Sequence, residues 1–246
     1  MISKLVLLSH KIYLGDVAMS NREKIEGFFD HFSKLVDSIK HLKAEGYVKQ
    51  IRVTSLIAVL DALSKCRYPN EPNNGFRFKT FIVNYAEWQE CEKISIPQLN
   101  LYLSQVPTSQ YSLLKAYVNQ ELASWTVGSE ISISVDPEIN ILNSIESVPL
   151  INDFKHVDLL WNYRNLLMHE ARTPGYGMNL SNDTNCYYHS MIYQGKVITD
   201  GWELVYPEAF FFRITENCIR LLREYCESSN YSPYDSFKFS SLWKIR

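Results

Sequence analysis

The stretch Asp153–Arg172, DFKHVDLLWNYRNLLMHEAR, constrains the fold more than any other part of the chain. Its apolar residues recur with the 3.6-residue period of a helix, which predicts one long amphipathic helix. The predicted core-facing stripe consists of Val157, Leu160, Trp161, Arg164, Met168 and Ala171. Arg164 interrupts this stripe, and a guanidinium buried without an anionic partner costs a large free energy because it cannot lose its charge.

A second, polar stripe lies beside the first and consists of Asp158, Asn162, Asn165, His169 and Arg172. Asn165 and His169 are spaced i and i+4, which makes them neighbours on one helix face. Arg164 and His169 lie about 140° apart around an ideal helix, with Asn165 between them in projection. The side chains of Arg164 and His169 can therefore converge on one anion placed over Asn165.

Two interpretations of these stripes remain open from the residues alone. In the first, Arg164 faces a cleft or a partner subunit and binds an anion together with His169. In the second, Arg164 pairs with a buried carboxylate and holds two helices in register. The polar stripe by itself is typical of a solvated helix face, so the position of Arg164 on the apolar stripe is the stronger evidence for a functional site.

The composition predicts a well-packed protein of the reducing cytoplasm. Apolar residues make up 46% of the chain and the net charge is −2, so any nucleic-acid contact should be confined to one local groove. The five scattered cysteines form no C-x-x-C pair, which favours buried thiols over a disulfide framework or a zinc site. The segment Val6–Leu8 is too short for a signal-peptide core, and no segment has the ~20 apolar residues of a membrane helix. A cytoplasmic location without membrane contact is therefore expected.

The common enzyme signatures are missing from the sequence. It contains no P-loop, no G-x-G-x-x-G, no H-E-x-x-H and no G-x-S-x-G motif. The six histidines do not have the spacing of metal ligands. The sequence therefore predicts neither a cofactor nor a metal site.

The apolar periodicity along the rest of the chain predicts a mainly α fold in a single domain, 1–246. The other predicted helices are Ser20–Glu45, Val48–Cys66, Thr80–Glu92, Ile96–Gln105, Pro107–Ser124, Pro137–Ser147 and Pro207–Glu227. A β-rich insertion is expected at about 185–206, with a tight turn at Gln194-Gly195. Asp200-Gly201 offers a second turn, so a hairpin and a three-strand meander both stay open. A short strand is expected at Glu130–Val135. The run Phe76–Lys79 favours two buried phenylalanines and two exposed cations over an alternation that stacks on bases and holds phosphates. The segment Met1–Leu14 fits a strand or an arm, and the tail is expected to dock through Phe237 and Trp243.

The segment Arg164-Asn165-Leu-Leu-Met-His169 resembles the R-x(4–6)-H motif of the HEPN superfamily (higher eukaryotes and prokaryotes nucleotide-binding). A polar residue, often asparagine, tends to follow the arginine in that family, as Asn165 does here. The resemblance covers about twenty of the 246 residues. It implies a HEPN-like helical bundle, and many members of the family are metal-independent ribonucleases of toxin, abortive-infection and CRISPR-associated systems.

The resemblance also implies how such a site is assembled. Two motifs meet across a homodimer in that family, and this chain contains one motif, so a homodimer through the Arg164/His169 helix is expected. Arg164, His169 and Asn165 would be the catalytic residues. The neighbouring Tyr163, Glu170 and Arg172 would contact the substrate, with Glu170 pairing with Arg164 or Arg172 when RNA is absent. RNA would be one partner, and a cognate antitoxin a second if the protein acts as a toxin.

Arginine and histidine together suit one reaction well, the cleavage of RNA without a metal ion. RNA supplies its own nucleophile, the 2′-OH, and histidine has a reference pKa of about 6.5, which suits a base near neutral pH. Arginine binds the phosphate and offsets its charge, and the products would be a 2′,3′-cyclic phosphate and a 5′-OH. Two alternatives stay open: a non-catalytic dimeric HEPN-like module that binds nucleotide, RNA or protein, and an unrelated helical scaffold with Arg164 in an ion pair.

Overall fold

The computed structural model of the protein describes residues 19–43, 45–175, 183–193 and 196–236. In these residues the chain is mainly helical, with a small antiparallel sheet before the last helix, which confirms the predicted class at this level. The helices are α1 (Asn21–Lys40), α2 (Val48–Arg67), α3 (Asn74–Tyr85), α4 (Ile96–Gln105), α5 (Ser112–Ser124), α6 (Ile139–Ile145), α7 (His156–Glu170) and α8 (Glu208–Ser228). The strands are β1 (Ile131–Ser132), β2 (Tyr187–Tyr193) and β3 (Lys196–Val205).

Helix α1 begins at a capping box, as the sequence predicts. Ser20 Oγ accepts a hydrogen bond from the Glu23 amide at 3.3 Å, and the Glu23 carboxylate accepts one from the Ser20 amide at 2.8 Å. The helix ends at Lys40, earlier than the predicted Glu45. Gly46, with φ of +77°, lies in the connection to α2 instead of directly ending α1.

Helix α3 begins earlier than predicted because Asn73 caps it. The Asn73 side-chain oxygen accepts a hydrogen bond from the Phe76 amide at 2.9 Å, so the run Phe76–Lys79 lies inside the helix. Phe78 is buried against Trp161, whereas Phe76 is 57% exposed. The prediction of two buried phenylalanines is therefore wrong for Phe76.

The described helices bury two hydrophobic clusters. The larger lies among α1, α2, α3, α7 and α8, where α8 packs against the first three and α7 packs against α2 and α3. Its largest buried side chains are aromatic: Tyr188, Phe28, Phe29, Phe78, Phe81, Phe210 and Phe211. The smaller cluster lies among α4, α5 and α6, and Leu122 and Trp125 contact both clusters. These two residues of the α5 region therefore join the two parts of the core.

The sheet lies on the helices, as an isolated hairpin of this size requires. Strands β1 and β2 pair antiparallel, as do β2 and β3, and the predicted turn Gln194-Gly195 falls outside the described residues. Of the two open alternatives the hairpin is observed and the meander is not, because β3 runs through Asp200 and Gly201 without a turn. The pairing instead shifts between Ser190↔Trp202 and Ile192↔Val197, so β3 has more residues than β2 over this interval. Trp202 packs edge-on against Trp125 of the core.

The cysteines match the expectation of buried thiols. All five fall in the described part of the chain, where they are buried and free of disulfides. Burial raises the pKa of the Cys66 and Cys91 thiols to about 11 each, so both stay in the unreactive neutral form at neutral pH. Within the described residues, no helix combines the length and the apolar character needed to cross a membrane. The predicted N-terminal segment Met1–Leu14 and the docking tail with Phe237 and Trp243 lie outside the described residues.

Candidate functional site

Helix α7, which carries the candidate motif, is shorter than the sequence predicts. A 3-10 turn at Ile151–Phe154 precedes it, and the α-helix begins at His156. It ends at Glu170, where Ala171 adopts a left-handed conformation with φ of +53°. Pro174 and Gly175 follow only after this stop, so the backbone at Ala171 ends the helix before the proline does.

The buried face of α7 is rotated by about one residue from the predicted stripe. The buried residues are His156, Val157, Leu160, Tyr163 and Leu167. Trp161, Arg164 and Met168, which the periodicity assigns to the core, are only half-buried. Arg164 therefore lies at the edge of the buried face, where α7 meets α2, and not in the middle of the core.

Tyr163 belongs to the core and not to the surface that carries the motif. Its ring centroid lies 5.4 Å from that of Tyr206 and 5.5 Å from that of Phe211. Burial raises the pKa of the Tyr163 phenol far above its ordinary value, so the hydroxyl stays protonated. The structure does not bring Tyr163 together with Arg164 and His169, although the sequence predicts a substrate contact there.

One edge of the Arg164 guanidinium is paired with a carboxylate of the same chain. Nε donates to Asp61 Oδ2 at 2.9 Å, and Nη2 donates to the same oxygen at 2.5 Å. Asp61 lies on α2, and the two side chains are 22% (Asp61) and 15% (Arg164) exposed. This contact matches the second interpretation of the sequence, in which Arg164 pairs with a carboxylate and joins two helices. Because both side chains keep some exposure, the ion pair remains accessible to solvent.

The other edge of the guanidinium faces the rest of the motif. Nη1 donates to Asn165 Oδ1 at 3.0 Å and lies 3.3 Å from His169 Nε2. Because a guanidinium nitrogen only donates, this contact is a hydrogen bond when Nε2 carries the lone pair and Nδ1 the proton. The structure thus brings the three predicted catalytic residues together. In this arrangement Asn165 accepts a hydrogen bond from Arg164.

The C-terminal end of the motif carries one exposed ion pair. Arg172 Nε donates to Glu170 Oε2 at 2.7 Å, and both side chains are more than half exposed. The predicted pairing of Glu170 with Arg172 is confirmed. Such an exposed pair contributes little stability because water and salt screen it, so both residues remain available to a ligand.

Sequence reasoning missed two neighbours of Arg164. Asp61 interrupts the apolar run LIAVLDAL of α2, just as Arg164 interrupts that of α7. Opposite charges in two apolar stripes are a signal that predicts such a pair. The Trp161 ring lies 4.9 Å from Arg164 Cζ, in the position of a cation–π contact, and Gly75 makes room for its indole. A second pair, Lys79 with Asp158, joins α3 to α7 beside the site.

Comparison with known proteins does not suggest a function, so the geometry around Arg164 is the basis for one. In the described residues, no group of three or more His, Cys, Asp or Glu side chains is placed to hold a metal ion. No family model, no curated protein and no solved structure matches the chain.

Proposed function

We propose that the protein is a metal-independent endoribonuclease of the HEPN type, in which Arg164 binds the scissile phosphate and His169 transfers a proton. One observation carries the proposal. Arg164 Nη1 and His169 Nε2 lie 3.3 Å apart, and the His169 side chain is exposed. An RNA backbone that reaches the helix surface at this point places its phosphate beside a permanent cation and the adjacent 2′-OH beside an imidazole lone pair.

The reaction follows from these two groups and the RNA itself. Once RNA binding releases His169 Nε2 from Arg164 Nη1, its lone pair takes the proton of the 2′-OH, and the 2′-oxygen attacks the phosphorus as the bond to the 5′-oxygen breaks. The Arg164 guanidinium offsets the charge that develops on the phosphoryl oxygens. The products are a 2′,3′-cyclic phosphate and a 5′-OH. General base catalysis and charge stabilisation each contribute on the order of 10²- to 10³-fold.

The leaving 5′-oxygen also needs a proton, and each chain offers one motif. We therefore propose a homodimer in which His169 of a second copy supplies that proton across the cleft. The outward face of α7 supports this arrangement because Asn162 and His169 are exposed and Leu166 between them is half-buried. Since the net charge is −2, the substrate is a short exposed RNA segment and not a long duplex. A role as a toxin or phage-defence effector, held in check by a cognate antitoxin, is part of this proposal.

The test uses the purified chain with a mixed RNA pool in excess EDTA. We expect cleavage that leaves 2′,3′-cyclic phosphate and 5′-OH ends, because neither step requires a metal ion. A matched oligonucleotide with one 2′-deoxy residue at the cleavage position should stay intact, since the nucleophile is missing. Cleavage of that control, or an RNA pool that stays intact at high protein concentration, contradicts the proposal.

A second candidate function rests on the Asp61 contact. Two guanidinium N–H groups that donate to one carboxylate oxygen favour a structural ion pair between α2 and α7, within a module that binds nucleotide or protein without cleaving RNA. In that case the double variant Asp61→Leu/Arg164→Met folds with equal or higher stability, because apolar residues often replace both members of a buried pair without loss. Thermal unfolding of this variant, beside the EDTA assay, separates the two functions.

A further inference from the structure

The edge of the Arg164 guanidinium that is best placed to bind a phosphate is already hydrogen-bonded to Asp61. Arginine holds a phosphate best through two parallel N–H bonds from one edge of the guanidinium. Here the Nε and Nη2 edge donates to Asp61, while Nη1 donates to Asn165 and faces His169. A phosphate that approaches the Nε and Nη2 edge therefore meets the Asp61 carboxylate at the position it needs.

We propose that Asp61 regulates the site as an internal competitor for phosphate, so that a phosphodiester must displace the Asp61 carboxylate from Arg164. This inference rests on the proposed function, since it concerns the same guanidinium. The ligand class is a phosphate monoanion or dianion. Binding then exchanges one anionic partner of Arg164 for another.

The geometry of the ion pair makes this exchange feasible. Both N–H bonds end on Oδ2 alone, instead of spanning the two carboxylate oxygens as the strongest arginine–carboxylate pairs do. The two side chains keep 22% and 15% exposure, so water reaches the pair and the carboxylate can rotate away. Asp61 also repels an incoming phosphate, and partial burial weakens the screening of that repulsion.

A purely positioning role for Asp61 predicts a change in phosphate affinity in the opposite direction for one variant. If Asp61 only holds Arg164 in place, loss of its charge loosens the guanidinium and weakens phosphate binding. If Asp61 competes with phosphate, the same change strengthens binding. Asp61→Asn separates the two because the amide keeps an oxygen acceptor for Arg164 while removing the negative charge.

The experiment titrates the full chain with inorganic phosphate and follows the His169 ring signals by NMR. We expect Asp61→Asn to bind phosphate about tenfold more tightly than the wild type, from the loss of one nearby, partly screened charge. The double variant Asp61→Asn/Arg164→Met should lose this gain. Glu87→Gln is the matched control, because Glu87 pairs with Arg220 on α8 and its loss should not change the titration at His169.

The wild type provides a second measurement in case Asp61→Asn does not fold. Saturation with phosphate should shift both the Arg164 Nε–H signal and the Asp61 carboxylate carbon, because the pair separates. Phosphate binding that leaves both signals unmoved, or weaker binding by folded Asp61→Asn, overturns the inference and leaves the ribonuclease proposal intact. Tighter binding by Asp61→Asn without any RNA cleavage supports the inference and contradicts the ribonuclease proposal.

Discussion

Arg164→Ala and His169→Ala should each lower the rate of RNA cleavage by roughly 10²- to 10³-fold. The histidine variant loses the base that takes the 2′-OH proton, and the arginine variant loses the cation that offsets charge on the phosphate. The double variant should be little slower than the slower single variant, because residues that act as one unit are not additive. Initial rates in EDTA at saturating RNA provide the measurement.

The controls for these variants are exposed residues in α1 and at its C-terminal cap. His41→Ala and Arg22→Ala remove an imidazole and a guanidinium that are mostly exposed, and neither should change the cleavage rate. His169→Ala should keep its melting temperature, since the side chain is exposed. Arg164→Ala leaves Asp61 without its partner, so Arg164→Lys is added as a variant that keeps the charge but loses the planar donor edge. Wild-type rates in folded Arg164 and His169 variants would show that the cleavage belongs to another site.

Asp136→Ala should lower Tm by roughly 6–20 °C, the largest stability change that we expect in this protein. The Asp136 side chain is completely buried, and its Oδ2 accepts hydrogen bonds from His156 Nε2 at 2.7 Å and from the Tyr188 hydroxyl at 2.6 Å. Its Oδ1 accepts one from the Ile96 amide at 3.2 Å. Loss of the carboxylate leaves three buried donors without this acceptor, which corresponds to about 3–5 kcal/mol.

The consequences of this change should extend to α7, because His156 is its first residue. Tyr188 stays protonated as a donor, since burial and the Asp136 carboxylate raise its pKa well above the ordinary value. Differential scanning calorimetry measures the effect, with Asp37→Ala as the control because Asp37 and its partner His41 are mostly exposed. Equal melting temperatures for Asp136→Ala and the wild type would show that this buried network does not stabilise the junction.

The sequence predicts best those elements whose ends are set by local chemistry. Helix α4 matches its predicted bounds because Ser95 caps it, Pro97 opens it and Pro107 prevents its extension. The β-hairpin is equally local, since its strands are β-branched and aromatic and follow each other directly. By contrast, the predicted end of α1 lies five residues beyond the observed one, because the residues that follow the helix are as compatible with helix as those inside it.

The candidate site depends on tertiary contacts that no local pattern contains. The apolar residues of α7 allow two rotations of the helix, and contacts with Tyr206 and Phe211 select the one that buries Tyr163. That choice moves Arg164 to the edge of the core. Its partner Asp61 is far away in sequence; the two interrupted apolar stripes favour a pair, but the packing of α2 on α7 shows which residues meet. The convergence of Arg164, Asn165 and His169 was predictable because helix geometry alone determines it.

The most direct test of the central claim is an NMR titration with an RNA dinucleotide whose 2′-O-methyl group blocks cleavage. If one phosphodiester contacts both side chains, the Arg164 Nε–H signal and the His169 ring signals should shift together and fit one Kd. The ring signals of exposed His41 should stay constant and serve as the internal reference. Shifts of Arg164 and His169 that fit different Kd values, or a titration in which neither moves, would contradict a shared phosphodiester site.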